Sequence, residues 1–220
     1  MGKVIAIDGP SGAGKSTIAR MLAERLGYVY LDTGALYRAV ALLFLRKSIG
    51  AEDDDAILAD ALTSSKVEFR DGKVFLNGQD VSREIRTPEV GHYSSVFSAR
   101  KVVRDFLLDV QRSASRNQNL VVEGRDTTTV VFPRADKKFY MDASMSERAK
   151  RRYRQLAEMG LAVSEEKADR DIEERDRRDQ NRNIAPLVRA EDALLLDTTD
   201  KSIEQVLEYV IGVIEKDRHE

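Results

Sequence analysis

The stretch Gly9-Pro10-Ser11-Gly12-Ala13-Gly14-Lys15-Ser16 constrains this chain more than any other. It matches the pattern G-x-x-x-x-G-K-[ST], and its neighbours matter as much as the match. Before it stands Val4-Ile5-Ala6-Ile7, an apolar run too short for a helix; after it come Ile18, Met21, Leu22 and Leu26 at helical spacing, closed by Gly27. A buried strand, a glycine-rich turn and a helix are therefore expected in that order. The glycines let backbone wrap a phosphate at close range, and the first N–H groups of the helix point at it. Lys15 can reach the β- and γ-phosphates, and the Ser16 hydroxyl can ligate Mg²⁺. The expected ATP-binding residues are Gly9, Pro10, Ser11, Gly12, Ala13, Gly14, Lys15 and Ser16, with Thr17 beside them.

This motif serves kinases, motors and switches alike. A GTPase would normally carry an N-K-x-D guanine reader, which is absent, and 220 residues are too few for a large motor ATPase. A small phosphotransferase with a second substrate site is the leading reading. A regulator that uses ATP only as a switch is the rival from another class.

A second short strand is expected in YVYLD and an apolar helix in GALYRAVALLFLRKS, which continues a β-α-β-α order and predicts an α/β fold with a parallel sheet. Further strands are expected in NLVVE, KKFYMDA and ALLLD, a helix in RKVVRDFLLDVQRSA, and a final helix with Ile203, Val206, Leu207, Val210, Ile211 and Ile214 on one face. Five parallel strands suffice for one open sheet. KVEFRDGKVFLNGQDV breaks the rhythm: two alternating segments joined by Asp71-Gly72 predict a hairpin, a small antiparallel insertion at about residues 66–84. No low-complexity linker or repeat divides the chain, so a single domain is expected. From Ser146 to Arg182 arginines and acids interleave, which reads as two helices laced by i,i+4 pairs.

Composition narrows the partners. A net charge of −2 offers no general field for nucleic acid. There is no cysteine, and the two histidines, His92 and His219, are far apart, so neither thiolate metal sites nor a multi-histidine zinc centre is expected. MGKVIAID lacks the length and flanks of a signal peptide, and no apolar run approaches the ~18 residues of a membrane span. A cytoplasmic protein with no membrane partner is the expectation.

A second site is legible in the charges. In LDTGALYR, Asp32 and Thr33 stand at a strand end and Arg38 about one turn into the next helix. The carboxyl ends of strands line the ligand crevice of open α/β sheets, so Arg38 is aimed into it, unless it is an ordinary surface arginine. In VVEGRDTTTVVFP the strand ends at Glu123, Gly124 permits a tight turn, and Arg125 and Asp126 emerge at the crevice mouth. An arginine fork suits a substrate phosphate, and an aspartate can accept from the amine of a base. A surface loop is the plainer alternative. In ERDRRDQNR, Arg175, Asp179 and Arg182 share one helix face, while Arg177 and Arg178 suit a solvated face.

Taken together, IDGPSGAGKST, LDTGALYRAVAL, EIRTPEV, EGRDTTTVVFP, DASMSERAKRRYRQL and RDRRDQNRNIAPL…DALLLDTT closely resemble, in order and over nearly the whole chain, the bacterial cytidylate kinases of the P-loop nucleoside monophosphate kinase family. The resemblance implies transfer of a phosphoryl group from Mg·ATP to CMP or dCMP by a monomer. It also implies a CMP-binding region at about 33–105 and a lid at about 151–170. By similarity, Thr33, Ser95, Arg104 and Asp126 surround the cytosine; Arg38 and Arg125 take the acceptor phosphate; Arg175 and Asp179 hold the sugar. Arg182 completes that set, and Arg151 and Arg152 on the lid reach the transferring phosphates. Lys15, Arg125, Arg152 and Arg182 are the expected catalytic residues, and Ser16 the expected metal ligand. Another small P-loop kinase, for a different nucleotide or a shikimate-like acceptor, is the alternative. Two departures stand out: Thr128 where the family commonly has glycine, and Asn181 where it often has a small hydroxyl residue.

Overall fold

A computed structural model describes residues 2–70 and 72–216. The chain begins with β1 (Val4–Asp8), α1 (Lys15–Leu26), β2 (Val29–Asp32) and α2 (Thr33–Arg46). It continues through α3 (Asp55–Thr63), β3 (Val67–Arg70), β4 (Lys73–Leu76), β5 (Gln79–Asp80), α4 (Pro88–Phe97) and α5 (Lys101–Ser113). The last third holds β6 (Leu120–Gly124), β7 (Lys137–Asp142), α6 (Met145–Glu158), α7 (Glu165–Asn181), β8 (Leu194–Asp197) and α8 (Ile203–Lys216).

Five parallel strands form one sheet in the order β2-β6-β1-β7-β8. Its centre is apolar on both faces, as a parallel sheet covered by helices requires. Val4 and Ala6 of β1 join a core with α2, α3, α4 and α5, whereas Ile5 and Ile7 pack with α1 and α8 on the other side. With the phosphate loop between β1 and α1, this is the expected P-loop α/β fold. Among the described residues no helix is long and apolar enough to cross a membrane.

The insertion is a second sheet of order β3-β4-β5. Asp71, half of the expected hairpin turn, lies outside the described residues, but Arg70 pairs with Lys73 across it. The third strand arises from a signal of the same kind further along: Asn77 and Gly78 take φ of 51° and 82°, as a two-residue hairpin turn requires. Val67, Val74 and Leu76 join the core of α2, α3 and α5, so the small sheet is continuous with the main body. Two helices have local start signals: Asp54 and Asp55 open α3, and Thr87 caps the Val90 N–H ahead of Pro88 and Glu89 in α4. On α8, Val206, Val210 and Ile214 are buried, Leu207 and Ile211 partly so, and Ile203 is exposed at the start of the helix.

Candidate active site

The strand ends and the loop after β1 converge on one cavity of about 690 Å³. Its donor side is the phosphate loop. Gly14 opens α1 at φ 91° with no side-chain cap, so the N–H groups of the first turn are left for an anion. At Gly9 a Cβ would lie 1.9 Å from the Met141 carbonyl oxygen, which is why glycine is needed there. Lys15 is buried and donates to the Pro10 carbonyl at 2.7 Å. Burial first, and then the nearby Arg125, push its ammonium down to about 7, against the opposing pull of Glu123.

Glu123, the last residue but one of β6, reaches Ser16 at the start of α1. Its Oε1 accepts from the Ser16 hydroxyl at 2.5 Å and from the Tyr30 phenol at 3.1 Å. Burial, then the neighbouring Asp32, raises this carboxyl above its usual range. Ser16 and Glu123 thus set two hard oxygens side by side under the phosphate loop, a donor set that suits a small divalent cation sharing its shell with phosphates and water. Among the described residues no group of three or more His, Cys, Asp or Glu could hold a metal alone.

The opposite wall is cationic. Arg38, Arg125, Arg152, Arg175 and Arg182 line the same cavity as the phosphate loop. Burial lowers Arg38 to about 10 and Arg175 to about 9, and neighbouring arginines add to both shifts. Arg125 donates to Asp179 at 2.9 Å, and Arg182 to Asp126 at 3.2 Å. Asp126 is also bonded by Arg104, itself buried, so each of its oxygens meets a guanidinium. Burial raises the Asp126 carboxyl, while Arg104 and Arg182 pull it down. Around this end stand Thr33, Ser95 and Tyr37. Thr33 donates to the Glu123 carbonyl at 2.8 Å, and the buried Ser95 hydroxyl and Arg175 Nε have no hydrogen-bond partner among the described residues.

Gly124 earns its place by crowding rather than by turning. A Cβ there would lie 2.5 Å from the Thr33 hydroxyl oxygen and 2.6 Å from a Thr127 methyl. Beyond Asp126 the three threonines open a single π-helical turn, Thr127–Val131, instead of continuing a strand.

These groups come from segments separated by most of the chain. The cytidylate kinase family model covers residues 5–216. A cytidylate kinase of Thermodesulfovibrio yellowstonii is 49% identical over 99% of this chain and 100% of that protein. The chain belongs to the cytidylate kinase family. A second member, from Geobacter sp. strain M21, is 50% identical over 94% of this chain and 90% of its own length. Among solved structures, an uncharacterized protein from Eubacterium ventriosum shares the fold at a TM-score of 0.54, with 14% identity over 98% of this chain and 99% of that one.

Against the expectations for this family, the structure gathers Lys15, Ser16, Thr33, Arg38, Ser95, Arg125, Asp126, Arg152, Arg175, Asp179 and Arg182 at one cavity, with Arg104 behind Asp126. Arg151 lines the same cavity, with its guanidinium held against the phosphate loop, donating to the Ala13 carbonyl at 3.4 Å, rather than free. It is fixed at the foot of α6, donating to the Thr198 hydroxyl at 3.0 Å, the Thr198 carbonyl at 2.7 Å and Glu147 at 3.0 Å. Among the described residues Arg152 donates only to Gln155, at 2.8 Å. Arg177 is exposed, as a solvated face implies. Sequence reasoning missed Asp8, Tyr30, Tyr37, Arg148 and Asp176, all buried or half-buried polar groups on core elements. The signal available for Asp8 was its charge at the end of an otherwise apolar strand.

Proposed function

We propose that this chain transfers the γ-phosphoryl group of ATP to the phosphate of CMP, and of dCMP, giving ADP and the pyrimidine diphosphate. The observation that carries this reading is the single cavity joining the phosphate loop to the arginine wall and to the Asp126 end, in a chain of the cytidylate kinase family.

ATP lies with its phosphates over Gly9 to Thr17, and CMP lies opposite with its phosphate between Arg38 and Arg125. The sugar rests against Arg175 and Asp179, and the cytosine among Thr33, Ser95, Arg104 and Asp126. A CMP phosphate oxygen, already ionised near neutral pH, attacks the γ-phosphorus. The bond to the β–γ bridging oxygen breaks, and its electron pair stays on ADP. No general base is needed, and the only described histidine, His92, is exposed on α4.

The barrier is the approach of two polyanions. Lys15, Arg125, Arg152 and Arg182 offset it by stabilising charge spread over the transferring group, and removing one such contact costs on the order of 10²-fold in rate. Mg²⁺ would be held by Ser16, with Glu123 beside it, and when bound it supplies further neutralisation of the phosphate oxygens. The CMP-binding region spans about residues 33–105. The lid, about 151–170, takes in the outer ends of α6 and α7 and closes to exclude water. The enzyme works as a monomer.

Coupled ADP release with a panel of acceptors tests the assignment: CMP, dCMP, UMP, AMP and shikimate. Turnover fastest with CMP or dCMP is the expected result, and preferential use of shikimate or AMP overturns it.

A further inference from the structure

Asp8, the last residue of β1, has no exposed surface and accepts four hydrogen bonds from two consecutive residues. Its Oδ1 accepts from the Thr127 N–H at 2.9 Å and the Thr127 hydroxyl at 2.7 Å. Its Oδ2 accepts from the Thr128 N–H at 2.7 Å and the Thr128 hydroxyl at 2.6 Å. Both threonines are buried. The backbone amides alone would satisfy a carboxylate at the start of such a turn, so the two hydroxyls call for a further reason.

The position of this knot supplies one. Asp8 immediately precedes the phosphate loop, and Thr127 immediately follows Arg125 and Asp126. One carboxylate therefore ties the donor loop to the segment that carries the acceptor's arginine and aspartate. The turn is held at several further points. The Asp126 carbonyl accepts from Val130 and Val131 at 2.9 and 3.1 Å. Arg112 of α5 donates to the carbonyls of Val131 and Val130, each at 3.0 Å. The Thr127 methyl stands where any Cβ on Gly124 would have to go. Little slack is left between Asp8 and Asp126.

We propose that Thr127 and Thr128, acting through Asp8, are positioning residues that set the separation between the donor phosphate loop and the acceptor-binding Arg125 and Asp126. In-line transfer needs reacting atoms about 3–3.5 Å apart, and an error of about 1 Å can cost ~10²-fold in rate. Neither threonine lines the cavity, so the benefit falls on transfer rather than on binding. The Thr128 hydroxyl supplies the fourth bond to that carboxylate.

This rests on the kinase reading above. The test compares Thr128→Val and Thr128→Ser with the wild-type protein by three measurements: ADP release with CMP, slow ADP release without it, and calorimetric Kd values for ATP and for CMP alone. In Thr128→Val, CMP-dependent turnover is expected to fall about tenfold or more. Hydrolysis without CMP and both Kd values should stay within about twofold, because the phosphate loop and the arginines are intact. Thr128→Ser should behave as wild type. If valine is not accommodated, Thr128→Ala removes the same hydroxyl and the same ratio is read. The proposal is overturned if CMP-dependent and CMP-independent release fall in parallel, as for mere destabilisation. It is overturned equally if the valine and alanine variants turn over normally, or if serine fails to rescue. A wild-type protein that does not use CMP would bring down the kinase reading itself, and the positioning role with it.

Discussion

Asp126 illustrates how a residue expected to meet a base can already be engaged by protein. Both its oxygens face guanidinium groups, from Arg104 and Arg182. A carboxylate has about four acceptor sites, so a cytosine amine can still join them. The two arginines also oppose the burial that raises its pKa. Asp126→Ala is therefore expected to lower the ratio of kcat/KM for CMP over UMP by roughly 5- to 150-fold, the worth of one base-edge contact of about 1–3 kcal/mol. An unchanged ratio removes Asp126 from base selection. Lys15 makes a different prediction. In the free protein burial and Arg125 push it down to about 7, whereas a bound triphosphate favours the ammonium and raises it again. At a pH about one unit above 7, ATP binding should then take up protons, and affinity should weaken as pH rises further. Calorimetry in buffers of different ionisation enthalpy reads this directly, and proton release on binding would contradict it.

At the scale of elements, α6 and α7 are joined to the phosphate loop at their bases. Arg148 of α6 forms a buried pair with Asp176 of α7, and both hold Ser11: Arg148 donates to its carbonyl at 3.0 Å, and Asp176 accepts its N–H at 3.1 Å. Breaking such a pair leaves an uncompensated buried charge, so Arg148→Met is expected to cost about 3–5 kcal/mol in a denaturant titration. A loss within 0.5 kcal/mol, the range of ordinary surface substitutions, would mean the pair is dispensable. For the lid proposed above, the same anchorage would leave only the segment between the two residues to move. Hydrogen exchange should slow across about 152–175 when both nucleotides are added, and no change there would sink the lid. These ties were hidden from the sequence for a physical reason. Ser11 and Asp176 are 165 positions apart, and Asp8 and Thr127 are 119 apart, so local periodicity carries no trace of either. By contrast the parallel strands were legible, most clearly β1 and β6, where burial on both faces makes a short continuous apolar run. Arg125 and Arg175 were legible too, since charges at a strand end or on one helix face stand out against a core pattern. The part played by Thr127 and Thr128 was not legible, because the Asp8 carboxylate that holds them lies at the end of β1, far away in sequence.

The whole molecule carries a net charge of −2, yet it collects Lys15, Arg38, Arg125, Arg152, Arg175 and Arg182 around one cavity. The field is local rather than global, which suits a compact polyanion and not a nucleic-acid backbone. Its cost shows in the depressed pKa values of Lys15, Arg38 and Arg175, each lowered by burial and by other cations. A ligand that places phosphates along the entire cavity relieves all three at once, whereas ATP or CMP alone relieves part. A bisubstrate analogue joining adenosine and cytidine through a chain of five phosphates should therefore stabilise the fold beyond either nucleotide. Saturation at ~100 times Kd contributes about 2.7 kcal/mol, which for 150–250 residues is a rise in Tm of roughly 5–10 °C. At matched concentration the analogue should exceed ATP and CMP given together, because binding of its second half is intramolecular. A shift no larger than that of ATP alone would mean that the two ends of the cavity are independent sites, and in-line transfer between them would lose its structural basis.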